Sequence, residues 1–387
     1  MHVRSAAVAV LVVVAGVAAT VHVATQASSA PVPFTVHEWG TFTSIAGADG
    51  NAVQWLPQGG VSDLPCFVER SVFNIKGSLS GTVRMETPVL YFYAAQDVTV
   101  SVDVGFKQGV ITEWYPHADV RATGPGTGAP WDGTIRWPRV TVSPSSPATF
   151  PSEPVASHYY QARNTDAVPV LSGRERERFL FYRGVGQFAP PLSATVVGGG
   201  RIVAWTSPGA PIADLILFEN RGGAISYSVQ HASSGRLTLD GAAVDDESTP
   251  PTRELVAMLI ANGLYRKEAE AMVATWTDSW FEEGTRLFYI VPRPAVDAIL
   301  PLAIAPAPAE IARVFVGRVE LVTPWMLNGV RRALVTNNPA TLARYGRFLA
   351  PIGERAIGEM PEADRPALRA RLQTAARAWN TPPASCR

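Results

Sequence analysis

The stretch DVTVSVDVGF, residues 97–106, alternates apolar and polar side chains without interruption. Val98, Val100, Val102 and Val104 share one face, because successive side chains of a β-strand point to opposite sides. The pattern therefore predicts a strand that turns one face toward a hydrophobic core.

Segments of the same kind lie on both sides of this strand and continue to about residue 245. Each is short, rich in apolar residues and bounded by Gly, Pro, Asn or Asp. The predicted strands are 82–95, 109–116, 133–142, 177–188, 193–199, 201–207, 213–220, 224–230 and 235–241. Strands this short and this evenly spaced are typical of antiparallel sandwiches. Pro88, inside the first of them, indicates an edge or a bulge, since proline cannot donate a ladder hydrogen bond.

The pattern changes at the Ser-Thr-Pro-Pro sequence of residues 248–251, after which helical periodicity dominates. The predicted helices are 252–262, 265–283, 294–302, 324–335, 339–349 and 361–379, and the predicted strands are 286–292 and 312–324. We therefore expect a mainly β, sandwich-like region at 31–247 and an α+β region at 248–387. The Ser- and Pro-rich stretch 143–154 is either a long loop or a seam between two β units.

Residues 1–30 have the three parts of a secretory signal peptide: an Arg, an uncharged apolar run and a small-residue segment. The alternative is an uncleaved single-span anchor, because the apolar run approaches the length of a spanning helix. Either way the sequence predicts an exported protein. No later stretch is long and apolar enough for a second span, so no membrane contact is expected beyond the leader.

The composition predicts a globular protein with a sizeable core, since 47% of the residues are hydrophobic and 17% are charged. Its 33 basic and 33 acidic residues balance, and no basic stripe favours nucleic acid. The chain also lacks a GxSxG elbow, a P-loop and a dinucleotide fingerprint. The Gly-rich segment VVGGGR, residues 196–201, is interpreted as a hairpin turn.

The two cysteines, Cys66 and Cys386, both lie outside the leader. Export would deliver them to an oxidising compartment, which favours a disulfide between them. The alternative is one buried thiol and one free thiol at the chain end.

Histidines and carboxylates supply the candidates for chemistry. Imidazole with carboxylate is the combination used in zinc sites and in acid–base catalysis. His37, Glu113 and His117 are therefore candidate ligands for zinc or another divalent metal, and Glu38 and Glu113 are candidate catalytic carboxylates. Their spacing matches no known metal motif, and the simpler interpretation is that His37 faces solvent from the first strand.

Two other carboxylate sites suggest ion pairs. Glu86 interrupts an apolar strand and must face water or find a partner, for which Arg84 lies on the same face. Glu282 and Glu283 end a helix, where negative charge opposes the helix dipole, so they are expected to be solvated or paired with an arginine such as Arg286.

Aromatic residues are concentrated in the first β half, at Trp39, Trp55, Trp114, Trp131 and Trp137. On one sheet face they would form a sugar-binding platform, whereas the alternative is ordinary core packing. We take Trp39, Trp114 and His158 as candidate binding residues.

The motifs HEWGTFTS, DLPCFV, RMETPVLYFY, ITEWYP and TWTDSWFEEGTRLFYIVP together resemble an uncharacterised family of exported bacterial proteins. The resemblance covers most of the chain after the leader. It implies export, and since that family has no assigned activity, it implies no role for any residue.

Two functions remain open from the sequence. The first is a non-catalytic envelope protein that binds a glycan or another protein through its β surfaces. The second is an exported hydrolase, with or without a metal, that acts on an extracytoplasmic polymer. The absence of any known catalytic spacing favours the first.

Overall fold

The structure is a computed structural model that describes residues 32–57, 63–71, 79–154, 157–231, 235–240 and 249–379. The predicted signal peptide and Cys386 lie outside these residues. Among the residues described, no helix is both long enough and apolar enough to cross a membrane.

Eighteen strands are found in the described part of the chain. They are β1 (Phe34–Ile45), β2 (Glu69–Arg70), β3 (Val83–Ala94), β4 (Val98–Lys107), β5 (Gly109–Tyr115), β6 (Asp119–Thr123), β7 (Asp132–Val142), β8 (Val170–Ser172), β9 (Glu175–Glu177), β10 (Leu180–Gly186), β11 (Leu192–Val196), β12 (Ile202–Thr206), β13 (Asp214–Arg221), β14 (Ala224–His231), β15 (Arg236–Leu239), β16 (Gly284–Ile290), β17 (Leu302–Ala305) and β18 (Glu310–Leu321).

Seven α-helices follow the β-rich part of the same described residues. They are α1 (Thr252–Ala261), α2 (Arg266–Trp280), α3 (Arg293–Ile299), α4 (Pro324–Val335), α5 (Pro339–Ala343), α6 (Leu349–Gly358) and α7 (Arg365–Trp379). A 3-10 helix at His158–Arg163 packs against α2. The predicted fold class, mainly β followed by α+β, is confirmed.

The central sheet has nine strands in the order β14-β13-β16-β18-β1-β3-β10-β5-β2. β1 and β18 pair in parallel, and the other neighbours are antiparallel. β16 and β18 come from the predicted α+β region, yet they lie between β13 and β1 of the predicted β region. The two regions therefore share one sheet, and the chain from Val32 onward forms one compact unit.

Each face of the central sheet buries its own hydrophobic cluster. One face packs against two smaller sheets, β17-β4-β7-β8-β9 with β6, and β11-β12-β15, which gives the sandwich. The other face packs against α1 and α2. In a third cluster, helices α4, α5, α6 and α7 pack against one another and against Ile45 at the end of β1. Alternate residues of one central strand therefore enter different environments, one between the sheets and the other between sheet and helices.

Pro88 lies at a β-bulge of a central strand. The register of β1 and β3 shifts between Trp39 and Thr41, opposite Thr87 and Pro88. Gly40 lies at this point, and a Cβ there would come within 2.7 Å of Phe315 Cε1 and 3.2 Å of Pro88 Cα. The glycine therefore makes room for the bulge. A bulge is one of the two positions, edge or bulge, that the sequence predicts for Pro88.

α6 lies where the sequence predicted no separate helix, because Pro351 and Gly353 weaken the helical pattern. Pro351 falls in the first turn, where its missing N–H costs no intrahelical bond. Gly353 faces α7, and a Cβ there would come within 2.7 Å of Leu372 Cδ2. Close helix packing therefore explains the glycine, and no local sequence signal could show it.

Candidate functional site

His37 is buried on the face of β1 that α2 covers. Its Nδ1 lies 2.7 Å from Glu268 Oε2, and the Tyr93 hydroxyl donates to the other oxygen of Glu268 at 2.7 Å. The Tyr265 ring contacts the imidazole in a tilted arrangement, with ring centres 4.3 Å apart and planes 45° apart. The expectation that His37 faces solvent is therefore wrong, since only 1% of the residue is exposed. The hydrogen bond between His37 and Glu268 holds the first turn of α2 against β1.

Glu38 points to the opposite face of β1 and is fully buried. It accepts hydrogen bonds from the Tyr182 hydroxyl and from Nε of Arg313. Burial alone would lower the pKa of Arg313, but Glu38 and the other groups around it outweigh burial and raise that pKa. Glu38 thus holds the guanidinium of Arg313 in a buried position inside the sandwich.

Glu113 and His117 lie far from His37. Glu113 is on β5, and β3 and β10 separate that strand from β1, so the two backbones are about 14 Å apart. His117 lies at the surface with Nδ1 2.7 Å from Glu69 Oε1, a hydrogen bond that raises the pKa of His117. The three predicted metal ligands are not brought together, and the described residues hold no group of three or more metal-ligating side chains. Glu38 and Glu113 do not share a groove either.

The three predicted binding residues are also separated. Trp39 is buried in the helix-facing cluster, whereas Trp114 belongs to the cluster on the opposite face. His158 lies near the surface, where Nε2 is 3.0 Å from Asp278 and the ring is 5.7 Å from Trp276. Both tryptophans serve core packing, which was the alternative to a sugar platform.

Cys66 is exposed, and its backbone N–H donates to Glu153. Its predicted partner, Cys386, lies outside the described residues, so the disulfide stays a prediction.

A layer of buried ion pairs lies at the far end of the helix-facing side. Glu86 contacts Arg347 at 2.7 Å and Arg84 at 3.2 Å, which confirms the predicted pair with Arg84. Thr43 donates a further hydrogen bond to Glu86 at 2.8 Å. Burial by itself would raise the pKa of Glu86, but the arginines outweigh it and lower that pKa to about 2.

The same layer continues through Arg318 and Arg286. Arg318 bridges Glu282 and Glu320, each at 2.8 Å, and Arg286 reaches Glu320 at 2.9 Å. The predicted contact of Arg286 at the end of α2 is to the backbone carbonyl of Glu283, at 3.0 Å. These charges are paired with each other, so the layer holds α2, β18 and the C-terminal helices together.

A pocket of about 380 Å³ lies where the end of β13, the start of β16, the start of α4 and the turn between β11 and β12 meet. We call it the Glu219 pocket. It is lined by Gly199, Gly200, Ile202, Glu219, Arg221, Thr285, Thr323, Pro324 and Trp325. Its volume lies within the range of about 300–1,000 Å³ that is usual for ligand sites.

The carboxylate of Glu219 forms the polar centre of this pocket. Its Oε1 contacts three donors: the Thr285 hydroxyl at 2.8 Å, Trp325 Nε1 at 3.0 Å and Arg221 Nη2 at 2.9 Å. Glu219 is 8% exposed. The three donors orient the side chain and neutralise its charge, so the carboxylate is held in one position before any ligand arrives.

Thr323 supplies a second polar group. Its hydroxyl is buried and has no hydrogen-bond partner among the described residues. A buried hydroxyl without a partner is costly, and this one has too little accessible surface for a ligand in the pocket to reach it. The opposite rim of the pocket is the turn between β11 and β12, where Gly199 and Gly200 have no side chain. Gly199 and Gly200 have φ of 77° and 78°, which glycine tolerates readily, and this confirms the predicted hairpin turn.

No sequence pattern marks Glu219 as part of a pocket. The local signal was a carboxylate at the end of the apolar run ADLILFEN, residues 213–220. Thr323 and Trp325 lie about a hundred residues later, beyond any sequence spacing that could relate them to Glu219. They meet it because β13 pairs with β16 and β16 with β18, immediately before α4.

No family model matches the chain, and no curated protein matches it. Among solved structures, the chain is similar to the Fcho1 Mu homology domain (Danio rerio) with bound Eps15 peptide. The identity is 9%, the match covers 75% of this chain and 97% of that one, and the TM-score is 0.30. A likeness at this level carries no argument about fold or function.

Proposed function

We propose that this protein is an exported, non-catalytic glycan-binding protein that holds an uncharged, hydroxyl-rich ligand in the Glu219 pocket. The observation that carries the proposal is a fixed, charge-neutralised carboxylate in the wall of a pocket that also carries an indole. Export rests on the signal-peptide pattern of residues 1–30.

The charge of the pocket favours an uncharged ligand. Arg221 lies 2.9 Å from Glu219, so the pair has no net charge to attract a cation or an anion. What remains is a carboxylate that accepts hydrogen bonds, and sugar hydroxyls are donors that suit it.

The walls favour a ligand that also has carbon faces. Ile202, Pro324 and the Trp325 ring provide apolar surface, and the Arg221 guanidinium lies 5.4 Å from the centre of that ring. A sugar ring presents C–H groups to aromatic surface and hydroxyls to polar groups, so it suits a wall that carries both an indole and the Glu219 carboxylate.

The test is binding of neutral oligosaccharides to the full chain, purified after expression with its leader. The probes are oligomers of glucose, mannose, galactose and N-acetylglucosamine, titrated by calorimetry. At least one should bind, and Trp325→Ala and Glu219→Gln should each weaken that binding about tenfold or more, since each removes a fixed contact to the ligand.

Trp131→Ala is the matched control, because Trp131 is a half-buried tryptophan that does not line the pocket. It should bind as the wild type does. Loss of binding in Trp131→Ala with unchanged affinity in Trp325→Ala would place the site elsewhere. No binding to any probe would overturn the proposal.

A further inference from the structure

The charges of this protein are unevenly distributed along the chain. Residues 32–323 carry 22 basic and 29 acidic side chains. Residues 324–379, which contain α4 to α7, carry nine arginines, no lysine and four carboxylates. We call these four helices the C-terminal bundle. The bundle is the basic part of a chain that is acidic elsewhere, and such an asymmetry favours the binding of a polyanion.

Only part of this positive charge is neutralised within the protein. Four arginines of the bundle are paired with a carboxylate: Arg331 with Glu359, Arg344 with Glu283, Arg347 with Glu86 and Arg369 with Glu354. Four others contact no carboxylate in the part of the chain that the structure describes, namely Arg332, Arg355, Arg365 and Arg371. Two carboxylates of the bundle, Glu362 and Asp364, are also outside these pairs, so cations remain in excess.

Part of the excess charge lies around the C-terminal end of α4. We call this surface the arginine patch, and it consists of Arg331, Arg332, Val335 and Arg371. Arg332 is exposed, and 52% of Val335 is exposed although it is apolar. Arg371 reaches the patch from α7, because its Nη1 donates to the carbonyls of Leu334 and Val335, both at 2.8 Å. The patch thus combines three guanidinium groups with a small apolar surface.

The bundle lies far from the point where the predicted leader joins the folded chain. β1 begins at Phe34, directly after the leader, and ends at Ile45, which packs against the bundle. An extended strand of this length spans about 36 Å. A leader that stays in the membrane as an anchor would therefore hold the bundle well away from the lipid headgroups. An anionic polymer outside the membrane fits this position better than lipid does.

We propose that the arginine patch binds an acidic polysaccharide, a chain of sugars that carry carboxylate groups. Guanidinium groups bind carboxylates through paired, charge-assisted hydrogen bonds. Repeated carboxylates contact several arginines at once, and the carbon face of a sugar covers Val335. The patch is independent of the Glu219 pocket, because Trp325 lies near the other end of α4, about 15 Å from Val335 at 1.5 Å for each residue.

The test is the fluorescence anisotropy of a labelled oligogalacturonate titrated with the full chain. The oligomer should bind, and a labelled dextran oligomer of the same length, which has no charge, should bind at least tenfold more weakly. Because salt screens exposed charges, the affinity should fall about tenfold between about 20 mM and about 300 mM sodium chloride. The absence of binding at the lower salt concentration would overturn the proposal, and so would an affinity that does not change with salt.

Charge-reversal variants locate the site. Arg332→Glu should weaken binding of the oligogalacturonate at least fivefold. Arg253→Glu is the matched control, because it changes the net charge equally, and Arg253 is a 91% exposed side chain on α1, outside the bundle. Equal losses in the two variants would show an effect of net charge alone and refute the patch. Arg332→Gln, which leaves no negative charge at the end of α4, should weaken binding about twofold without a change in melting temperature, and an unchanged affinity would contradict the proposal.

Three further measurements separate this partner from others. Polyphosphate that displaces the oligomer at a tenfold lower concentration than polygalacturonate does would identify a phosphate polymer and contradict the carboxylate assignment. Sedimentation that shows self-association at low salt, without binding of the oligomer, would assign the patch to the acidic part of a second copy and overturn the proposal. Trp325→Ala should bind the oligomer as the wild type does, and a loss of binding there would place the oligomer in the Glu219 pocket instead.

Discussion

Removal of one carboxylate from the buried ion-pair layer should change how the stability of this protein depends on pH. Glu86 is fully buried among Arg347, Arg84 and Arg318, and its pKa falls from 4.5 to about 2 in the folded state. Its stabilising contribution is therefore complete well above pH 4.5. It is lost as the pH falls through the folded pKa, because the unfolded state then binds the proton first.

The size of the effect follows from the shift in pKa. The fall in pKa from 4.5 to about 2 corresponds to about 3 kcal/mol at pH 7, since a tenfold change in proton affinity is worth 1.36 kcal/mol. We therefore expect Glu86→Gln to lower the free energy of unfolding by about 3 kcal/mol at pH 7. The difference between variant and wild type should shrink by about 1.4 kcal/mol between pH 7 and pH 3.5.

The measurement is urea unfolding followed by tryptophan fluorescence at pH 7, 5 and 3.5. Glu270→Gln is the matched control, because Glu270 is half-exposed and its ion pair with Arg266 is long, at 3.8 Å. This variant should lower the free energy of unfolding by at most about 0.5 kcal/mol at every pH. A Glu86→Gln variant whose difference from the wild type stays constant with pH would refute the reasoning. So would a variant as stable as the control.

Two further predictions concern single packing sites. His37→Ala should lower the free energy of unfolding by about 2–3 kcal/mol, because it leaves the buried Glu268 without its imidazole partner, whereas His231→Ala at the surface should cost less than about 0.5 kcal/mol. Urea unfolding of both variants checks this, and equal stabilities would contradict it. Gly133→Ala should cost about 1–3 kcal/mol, because the new Cβ would come within 2.8 Å of the Gly109 carbonyl oxygen and 3.1 Å of Val110 Cα. Gly198→Ala, which meets no atom within 4 Å, is its control, and equal melting temperatures would show that β7 can shift.

Local patterns decided which segments became strands and helices. The valines of DVTVSVDVGF lie on the inner face of β4, where Val100, Val102 and Val104 are buried, and the residues between them are more exposed, as the period of two requires. The helical spacing of Met272, Val273, Trp276 and Trp280 gave α2 with that face buried. The pair of Arg84 and Glu86 was also predictable, because side chains two residues apart lie on one side of a strand.

The sequence could not relate residues that are far apart in the chain. His37 and Glu38 are adjacent, yet one meets Glu268 of α2 and the other meets Arg313 of β18, because alternate side chains of β1 enter different layers. Residues adjacent in the sequence therefore do not lie in the same environment in the structure. The predicted metal group of His37, Glu113 and His117 is not assembled because β3 and β10 lie between β1, which carries His37, and β5, which carries Glu113.

What the sequence alone determined is the identity of the elements, because strand and helix periodicity are local properties of side-chain direction. The order of strands in the central sheet was decided only by the tertiary structure, since pairing depends on which apolar faces find each other across hundreds of residues. The insertion of β16 and β18 between β13 and β1 carries Thr285, Thr323 and Trp325 to Glu219.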